Sequence, residues 1–400
     1  MTYKVVQARL GEILRLLEDK AFQKALQDSV GNAEGKHERV AASYPYLKEL
    51  AKKVKEAEEK VLADLDHYID MTIRSVEKNK GVPHLARDAE EARRIVLDIA
   101  GECRGPIVMS KSMVAEEVGL REFLEGEGFE VWETDLGQLL IQLERGRPMH
   151  TTAPAIHMTV ERARGLVRER LGLEIPEGAG PEDIVAAVRG FLREKFVAAC
   201  LGISGANAVA ADTGAIVLVE NEGNIRLTTG LPPVHVAITG VDKILPTLQD
   251  AVAEALVQAA WAGLYPPTYL NIIAGPSNTA DIQHKRVYGA HGPKEFHLIL
   301  LDNGRREAAK FEPLGEQLRC IRCGRCQWEC PVWQQTANKW GGPVYGGPMG
   351  MGWTAITYSM REAAELSLLC LGCGRCDVVC PVEIPLSRII RWLKTRAHTS

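Results

Sequence analysis

The sequence predicts an α/β protein built in three parts along its 400 residues. The first hundred residues show the apolar period of helices, and residues 101–308 alternate short apolar runs with helical stretches. Residues 309–400 hold two cysteine-rich runs. Because 400 residues exceed one ordinary domain, we predict a helical region over 1–100, a doubly wound, mostly parallel sheet over 101–308, and an α-helical domain over 309–400.

Composition excludes several classes of protein. Charged residues make up 25% of the chain, apolar residues make up 46%, and the net charge is −4, which is typical of soluble globular proteins. No basic footprint indicates nucleic-acid binding. No run of eighteen apolar residues predicts a transmembrane helix, and the start, residues 1–9, lacks the apolar stretch of a signal peptide. We therefore predict a cytoplasmic protein with no nucleic-acid partner.

The N-terminal region is predicted to be helical because its apolar residues recur at steps of three and four. Charged residues between them supply a solvated opposite face. The pattern predicts helices that pack on a core or on a partner subunit, and it contains no chemistry. The recurring residues are Leu10, Ile13, Leu14, Leu17, Phe22, Ala25 and Leu26, and then Leu47, Leu50, Val54, Ala57, Val61, Leu65, Tyr68, Thr72 and Val76.

The middle of the chain alternates predicted strands and helices, which indicates a parallel sheet covered on both faces. Ligands of such sheets bind where the strands end at their carboxyl side, so the turns after the strands are the places to search. The predicted strands are 106–109, 129–132, 215–219, 234–238, 270–274 and 296–301, and the predicted helices are 113–126, 160–171, 181–199 and 245–262.

Polar residues follow several of these strands. Lys111 lies between Ser110 and Ser112 at a strand-to-helix turn, where it either holds an anion or is an exposed lysine beside a Ser112 N-cap. Asp135 is a plausible cap after the next strand. The segment 202–207, which ends at Asn207, offers backbone amides to a phosphate or carboxylate. It has neither the dinucleotide-binding nor the Walker A pattern.

The densest polar group outside the cysteines is Glu220, Glu222, Asn224 and Arg226 with their neighbours. These residue types suit a small polar pocket, but the spacing alone favours an acidic surface turn. Ser277 follows a later strand and adds a hydroxyl at the same edge. His235 alternates into an apolar strand and is predicted to be a core histidine, while His291 is predicted to lie in a turn.

The C-terminal region contains two runs with identical cysteine spacing. Cys320, Cys323, Cys326 and Cys330 precede Pro331, and Cys370, Cys373, Cys376 and Cys380 precede Pro381. The spacing C-x2-C-x2-C-x3-C-P is that of bacterial ferredoxins that bind [4Fe–4S] clusters. Zinc sites and disulfides are weaker alternatives, because zinc sites favour two C-x2-C pairs and need neither a third cysteine nor a following proline. The runs therefore predict two [4Fe–4S] clusters and an electron relay.

In two-cluster proteins of this type the fourth cysteine of each run binds the other cluster. The predicted ligand sets are therefore Cys320, Cys323, Cys326 and Cys380 for cluster 1, and Cys370, Cys373, Cys376 and Cys330 for cluster 2. Such clusters indicate a reducing compartment. The two remaining cysteines, Cys103 and Cys200, are accordingly predicted to be free thiols in or near the core.

The surroundings of the cysteines show further features. Thirty-nine residues separate Cys330 from Cys370, and helices are predicted over 354–369 and 385–394. Arg322, Arg325 and Arg375 stand between ligands, where they either raise the cluster potentials or form a docking surface. Four tryptophans are predicted to pack the intervening loop and exclude water, namely Trp328, Trp333, Trp340 and Trp353.

Several motifs together resemble those of the LUD domain of lactate-utilisation iron–sulfur proteins. They lie at 111–117, 133–137, 153–157, 205–207, 220–224, 226–229, 231–235, 275–281, 291–293 and 300–304, and the order of the two modules also matches. The resemblance implies a fold similar to sugar-isomerase and CoA-transferase-like folds. It also implies a multisubunit complex that oxidises L-lactate to pyruvate. The implied partners are a cysteine-rich protein of the CCG type and a second LUD protein or a flavoprotein. If a flavoprotein is present, the flavin belongs to that partner.

The leading hypothesis is thus an electron-transfer subunit. The alternative is a redox-linked enzyme, or a subunit of an electron-bifurcating complex, whose LUD domain binds or converts another small anionic, phosphorylated or CoA-linked substrate. The candidate pocket residues are Lys111, Ser112, Asn207, Glu220, Glu222, Asn224, Arg226 and Ser277.

Overall fold

The computed structural model describes residues 4–101 and 103–397. Residues 1–3, part of the segment that was predicted to lack the apolar stretch of a signal peptide, lie outside the described residues. Within the described part, no helix combines the length and the apolar character that crossing a bilayer requires. The chain begins with four helices, α1 (Lys4–Glu18), α2 (Lys20–Ser43), α3 (Leu47–Ala63) and α4 (Leu65–Lys78).

The predicted apolar faces of α3 and α4 are buried or half-buried from Leu47 to Val76. The face predicted for α1 is only partly covered, because Ile13 is buried while Leu10, Leu14 and Leu17 are exposed. Asp19 caps α2 by accepting hydrogen bonds from the backbone amides of Ala21 and Phe22. The helical prediction therefore holds for these elements, with a partly uncovered first helix.

The prediction of helix throughout residues 1–100 was wrong at one place. Residues Val82–Ala86 form strand β1, which pairs in parallel with the last strand of the main sheet, and α5 (Ala89–Ala100) follows. The strand contains Pro83 and His84 and lies at the sheet edge, where a proline that donates no hydrogen bond is tolerated. Its short, mixed pattern carries no clear period, so the sheet begins earlier in the chain than predicted.

The remaining strands are β2 (Ile107–Met109), β3 (Val131–Glu133), β4 (Leu201–Ser204), β5 (Ala208–Ala210), β6 (Ile216–Glu220), β7 (Val234–Gly240), β8 (Ile244–Leu245), β9 (Tyr269–Ile273), β10 (Asn278–Thr279), β11 (Val287–Tyr288) and β12 (Glu295–Leu301). The six predicted strands are present as β2, β3, β6, β7, β9 and β12, whereas β4 of the central sheet and the shorter β5, β8, β10 and β11 were not predicted. The helices are α6 (Met113–Glu117), α7 (Leu120–Gly126), α8 (Leu136–Glu144), α9 (Val160–Leu171), α10 (Pro181–Ala198), α11 (Asn224–Gly230) and α12 (Leu248–Trp261).

The central sheet has six parallel strands in the order β1-β12-β7-β4-β2-β3. Its interior strands are mostly apolar and almost wholly buried, as expected when helices cover both faces. The fold class is therefore the predicted one. The carboxyl ends of β2, β3, β4 and β7 meet at one edge, and this edge carries the site described below.

A second sheet departs from the prediction of a single doubly wound sheet. Strands β6 and β9 were predicted as members of the main sheet, but they belong to a four-stranded sheet in the order β8-β5-β6-β9 with antiparallel β5–β6 and β6–β9 pairs. Turn residues 211–215 reverse the chain between β5 and β6, and such a tight reversal is possible only between antiparallel strands. Strands β10 and β11 form a separate small hairpin.

The prediction of free thiols at Cys103 and Cys200 is contradicted by the structure. The two residues are joined in a disulfide, with a Cα–Cα separation of 5.5 Å that lies in the usual range for such a bond. They stand 97 residues apart in the chain and meet because β2 and β4 are neighbours in the sheet. Sequence spacing alone does not reveal that proximity.

The C-terminal region is helical and packs directly on the first helices of the chain. A single apolar core contains Phe22 and Leu26 of α2 together with the buried tryptophans Trp328, Trp333, Trp340 and Trp353. The backbone amide of Val5 donates to Glu365 Oε2 at 2.9 Å, which fixes α1 against this region. Its helices are α13 (Arg305–Ala308), α14 (Leu314–Gln317), α15 (Arg325–Trp328), α16 (Trp333–Thr336), α17 (Gly347–Thr357), α18 (Met360–Ser367), α19 (Arg375–Val378) and α20 (Leu386–Arg396).

Candidate functional site: two cysteine pockets and a strand-end cavity

The two cysteine runs adopt the same local fold. In each run an extended stretch carries the first two cysteines and a short helix, α15 or α19, begins after a glycine in the left-handed region. Gly324 has φ 75° and Gly374 has φ 73°, values that glycine adopts without steric cost. The repeated spacing in the sequence thus corresponds to a repeated backbone path that presents three cysteines to one point.

The structure brings the cysteines together in the two crossed groups. Cys320, Cys323, Cys326 and the distant Cys380 line one small pocket, which we call cluster pocket 1. The second, cluster pocket 2, is lined by Cys370, Cys373, Cys376 and the distant Cys330. In each pocket the fourth cysteine comes from the other run.

The cysteine side chains suit iron–sulfur clusters in their chemistry. Burial raises the pKa of Cys330 to about 12 and that of Cys380 to about 11, so these sulfurs need nearby positive charge to remain thiolates. Metal ions supply that charge and deprotonate a coordinating thiol. Backbone amides also point at the sulfurs, with Gly372 donating to Cys370 Sγ and Ile384 donating to Cys380 Sγ, both at 3.4 Å. Four cysteines per pocket, apolar walls and amide donors fit the predicted cluster ligation.

The two pockets differ in exposure. Cys320, Cys323 and Cys326 are all buried, whereas Cys373 is exposed. Around cluster pocket 2 the side chains of Leu371 and Val378 are 72% and 87% exposed. Arg375 is also exposed. One pocket therefore lies inside the protein and the other lies at its surface.

Arg322 is one of the two residues between the first and second cysteines of run one, and it is buried. Its Nη1 lies 2.8 Å from Asp242 Oδ2, and its guanidinium lies 4.4 Å from the ring centroid of Trp353. Asp242 also receives Arg305, which pairs with Glu117 at 2.7 Å. Of the two open roles for this arginine, a docking surface is thus excluded by burial. Arg375, in contrast, has the exposure that docking requires.

The backbone of Arg322 is unusual because its φ is 55°, in the left-handed region. The equivalent residue of the second run is Gly372, which has φ 71°. A non-glycine residue in this region costs on the order of 1 kcal/mol, and such strain clusters at functional sites. The first run therefore keeps an arginine side chain at a position whose backbone favours glycine.

A cavity of about 590 Å³ lies at the carboxyl ends of the parallel strands, where the sequence directed the search. We call it the strand-end cavity. Its walls come from the turns after β2, β3, β4 and β7, from the end of β6, from α12, from the loop 151–156 and from Arg322. Six of the eight predicted candidates line it, namely Lys111, Ser112, Asn207, Glu220, Glu222 and Asn224.

Two predicted candidates do not line this cavity. Arg226 pairs with Glu220, with Nε 3.2 Å from Oε2, and stacks on the ring of Tyr269. Ser277 lies by the hairpin of β10 and β11, where its hydroxyl accepts a hydrogen bond from the amide of Gly292. The turn that follows β6 is also more than a solvated surface turn, because the side chain of Glu220 is buried and accepts from Asn271 at 2.7 Å.

Lys111 is the central charged group of the strand-end cavity. Among the residues that the structure describes, no hydrogen bond or ion pair engages its ammonium. Burial lowers the pKa of Lys111, while the surrounding carboxylates, of which Asp135 is the strongest, act in the opposite direction. Ser112 has the capping role that was one of the two predicted alternatives, since its Oγ accepts from the amide of Ala115 at 3.2 Å.

Asp135 and Glu222 form a carboxyl pair on the cavity wall. Asp135 caps α8 by accepting from the amide of Gln138 at 2.9 Å, as predicted, and Glu222 accepts from the amide of Leu136 at 3.2 Å. Burial, followed by the neighbouring Asp135, raises the pKa of Glu222 to about 7. The side chain of Glu222 is exposed, so water screens part of this effect.

His235 is the buried core histidine that its position predicts. Its Nε2 lies 2.8 Å from Ser204 Oγ, and burial lowers its pKa to about 3. It does not line the cavity.

The sequence did not single out two further polar residues of the cavity. Lys243 follows β7 and pairs with Glu254 at 2.9 Å, close to the buried Glu58. Gln258 of α12 contacts Asn207 and donates to the backbone oxygen of Ile321 at 2.5 Å. The rule that ligands bind after parallel strands would have found Lys243, but no local signal marks Gln258. Through Gln258 and Arg322 the cavity wall is continuous with cluster pocket 1.

Comparisons with known families match both modules. Residues 69–301 match the LUD domain, and residues 316–384 match the 4Fe-4S dicluster domain. The boundaries of the first match include β1, in agreement with the observed sheet.

Curated relatives cover most of the chain. It is 35% identical over 381 residues to an uncharacterized electron transport protein, YkgF, of Escherichia coli (strain K12), covering 94% of this chain and 78% of that protein. It is 36% identical over 338 residues to Lactate utilization protein B of Bacillus subtilis (strain 168), covering 84% and 68%. Among solved structures, a DUF162 family protein from Deinococcus radiodurans aligns with a TM-score of 0.32 and 14% identity, over 60% of this chain and 98% of that one.

Proposed function

The chain belongs to the LUD-domain family of iron–sulfur electron-transport and lactate-utilisation proteins, and we propose that it is the subunit that relays single electrons through two [4Fe–4S] clusters in a complex that oxidises L-lactate to pyruvate. The observation that carries this proposal is the convergence of four cysteines on each of two pockets, with one ligand of each exchanged between the runs. Each bound cluster supplies reversible one-electron exchange.

The residues around the pockets support a relay with an inner and an outer end. Cluster pocket 1 lies against the strand-end cavity through Arg322, and cluster pocket 2 reaches the surface at Cys373. The exposed Leu371 and Val378 beside Arg375 give the outer end an apolar contact area with one positive charge. We propose this area as the contact for a redox partner, of which the cysteine-rich protein and the second LUD protein of lactate-utilisation systems are the expected examples.

Arg322 has a defined part in this proposal. It places a positive charge beside cluster pocket 1, which favours the more negative, reduced state of the bound cluster and thus raises its potential. Asp242, Arg305 and Glu117 hold the guanidinium in place within a buried network.

The test is metal and sulfide analysis of the anaerobically purified protein with EPR of the reduced state. We expect about eight iron and eight sulfide per chain and two interacting paramagnetic centres. Lactate-dependent reduction of these centres in the reconstituted complex tests the pathway separately. About two zinc per chain and no sulfide would refute the relay, whereas filled clusters that lactate does not reduce would refute only the substrate.

A second candidate function has its own observation in its favour. The strand-end cavity gathers Lys111, Asp135 and Glu222 where α/β folds bind ligands, which suits chemistry on an anionic, phosphorylated or CoA-linked substrate. Under this alternative the LUD domain is itself catalytic, and Glu222→Ala abolishes turnover while leaving the EPR spectrum unchanged. Retained turnover in that variant would remove the main support for this alternative.

A further inference from the structure

The strand-end cavity is large for a three-carbon acid. Its volume of about 590 Å³ lies in the range of roughly 300–1,000 Å³ that houses drug-sized ligands and cofactors. Much of its wall is apolar, with Met113, Pro154, Ile156, Leu218, Ile225 and Leu264 among the lining residues. A ligand that fills this space therefore has an apolar body of considerable size.

Charged side chains also line the cavity, among them Lys111, Asp135, Glu220, Glu222, Lys243 and Arg322. Lys111 offers an ammonium that has no hydrogen bond or ion pair within the described residues, and Asp135 and Glu222 offer a carboxyl pair that accepts from the backbone amides of Gln138 and Leu136. Asn224 adds an amide, whose Nδ2 donates to Thr134 Oγ1 at 3.2 Å and leaves its oxygen for other partners. This set binds carbonyl oxygens or an anion through donors and supplies protons through the acids.

The cavity also shares a wall with cluster pocket 1. Arg322 lines both spaces, and it follows Ile321, whose backbone oxygen receives Gln258 from the cavity wall. The strained φ of 55° at Arg322 indicates that its side chain, and not only its backbone, is needed at this boundary. A ligand in the cavity is thus one arginine side chain away from the inner cysteines.

We propose that the strand-end cavity binds a planar redox ring with conjugated carbonyl groups, of the flavin or quinone type, which exchanges electrons with the inner end of the relay. The proposal deepens the relay function proposed above and rests on it. Reduction of the ring takes up two electrons and two protons. The electrons arrive singly from the two reduced clusters, each of which is oxidised by one electron, and the protons come from the Asp135–Glu222 pair, which is refilled from solvent at the cavity mouth.

The ring's binding mode follows from the same residues. A carbonyl of the ring accepts from Lys111, whose positive charge also stabilises the reduced ring as it gains electron density. The apolar walls hold the two faces of the ring, and the carboxyl pair lies at the proton-accepting edge. Neither a dinucleotide-binding fingerprint nor a phosphate loop occurs in the chain, so the ring itself provides the recognition.

The test uses the cluster-loaded full chain under anaerobic conditions. Riboflavin, FMN and 2-methyl-1,4-naphthoquinone are titrated separately by calorimetry and by absorbance difference, with lactate and pyruvate as small-acid probes. We expect one ring class to bind with a Kd below about 10 μM. Riboflavin or FMN binding identifies a flavin site, naphthoquinone binding identifies a quinone site, and binding of neither class, or of the small acids alone, overturns the proposal.

Two variants test whether the ring binds in the strand-end cavity. Lys111→Gln should weaken ring binding about tenfold, as expected for loss of a hydrogen bond from a charged donor. Lys310→Gln, on a lysine that is 68% exposed and does not line the cavity, is the matched control and should bind as the unchanged protein does. Equal binding by both variants overturns the site assignment. Iron content and the EPR spectrum are measured in parallel, so a failure of the clusters is distinguishable from a failure of ring binding.

Discussion

Nη1 of Arg322 lies 2.8 Å from Oδ2 of Asp242, which joins the first cysteine run to the turn after β7 of the central sheet. Both side chains are buried, and Asp242 receives Arg305 as well. The two arginines hold the pKa of the Asp242 carboxyl well below its usual range despite its burial. The LUD domain and the cysteine region therefore share one buried ionic network at their boundary.

Loss of Arg322 should destabilise the whole protein. In Arg322→Gln, Asp242 loses one of its two arginine partners inside the protein, and removing one member of a buried pair typically costs about 3–5 kcal/mol. The free energy of unfolding is measured by anaerobic denaturant titration. Arg388→Gln, which removes an exposed pair with Glu312, is the control and should change it by less than about 1 kcal/mol. Similar small effects for both would contradict the structural importance of the network.

The iron content of two double variants should distinguish crossed ligation, in which each cluster is bound by cysteines of both runs, from ligation within each run. The double variant Cys330→Ala/Cys373→Ala removes two ligands of one crossed set, so about four iron should remain per chain. The double variant Cys323→Ala/Cys330→Ala removes one ligand from each crossed set, so both clusters should be lost or impaired. Iron analysis and EPR give the count. The opposite order of iron contents would show that each run binds its own cluster.

Gly202 should tolerate no side chain. A methyl group at this residue of β4 would collide with the backbone oxygen of Thr228, so Gly202→Ala should lower the free energy of unfolding by about 1–3 kcal/mol or more. Gly190 lies within α10 with nothing near its missing Cβ, and Gly190→Ala should raise stability by about 0.5–1 kcal/mol. Denaturant midpoints of the two variants should therefore move in opposite directions, and a shift of the same sign would refute the packing described.

The burial of His235 predicts how the free energy of unfolding depends on pH. The unfolded chain protonates this residue below about pH 6.5, whereas burial lowers the folded pKa to about 3. Stability should therefore fall as pH drops from 6.5 towards 3, with a slope of up to about 1.4 kcal/mol per pH unit from this group. His235→Gln should reduce the slope between pH 6.5 and 5.5, measured by anaerobic denaturation.

His67→Gln, at an exposed histidine, is the control for that experiment and should leave the slope unchanged. If the free energy of unfolding changes with pH in the same way for the unchanged protein and for His235→Gln, then His235 is protonated in the folded protein near its ordinary pKa.

Local patterns in the sequence predicted much of the architecture, and two of the failures have a long-range cause. The predicted strands and cysteine groups depend on short periods and fixed spacings, which neighbouring residues determine. The membership of β6 and β9 in a second sheet depends on pairing between distant segments, as does the contact between Cys103 and Cys200. Strand β1 escaped detection because an edge strand needs little apolar character.

The residues of the candidate site also divide into those that local patterns revealed and those that only long-range packing brings into place. Lys111 was found because polar residues after predicted strands meet at one edge of a parallel sheet, whereas Glu222 and Asn224 follow β6 of the second sheet and reach the same cavity. Gln258 was not found, because it lies within a helix and reaches the cavity only through the packing of α12. The difference between the cysteine pockets was also hidden, since the second cysteine of each run has the same spacing, yet Cys323 is buried and Cys373 is exposed.

The packing of α1 and α2 against the C-terminal region has a consequence for biosynthesis. Val5 contacts Glu365, and Gln23 donates to the backbone oxygen of Gln335 at 2.9 Å, so α1 and α2 are synthesised more than 300 residues before these partners. Until then the apolar side chains of Phe22 and Leu26 lack their native neighbours. We therefore expect the cysteine pockets to form at the same time as α1 and α2 pack against the C-terminal region. A newly made protein that is starved of iron should expose these N-terminal helices to chaperones and proteases.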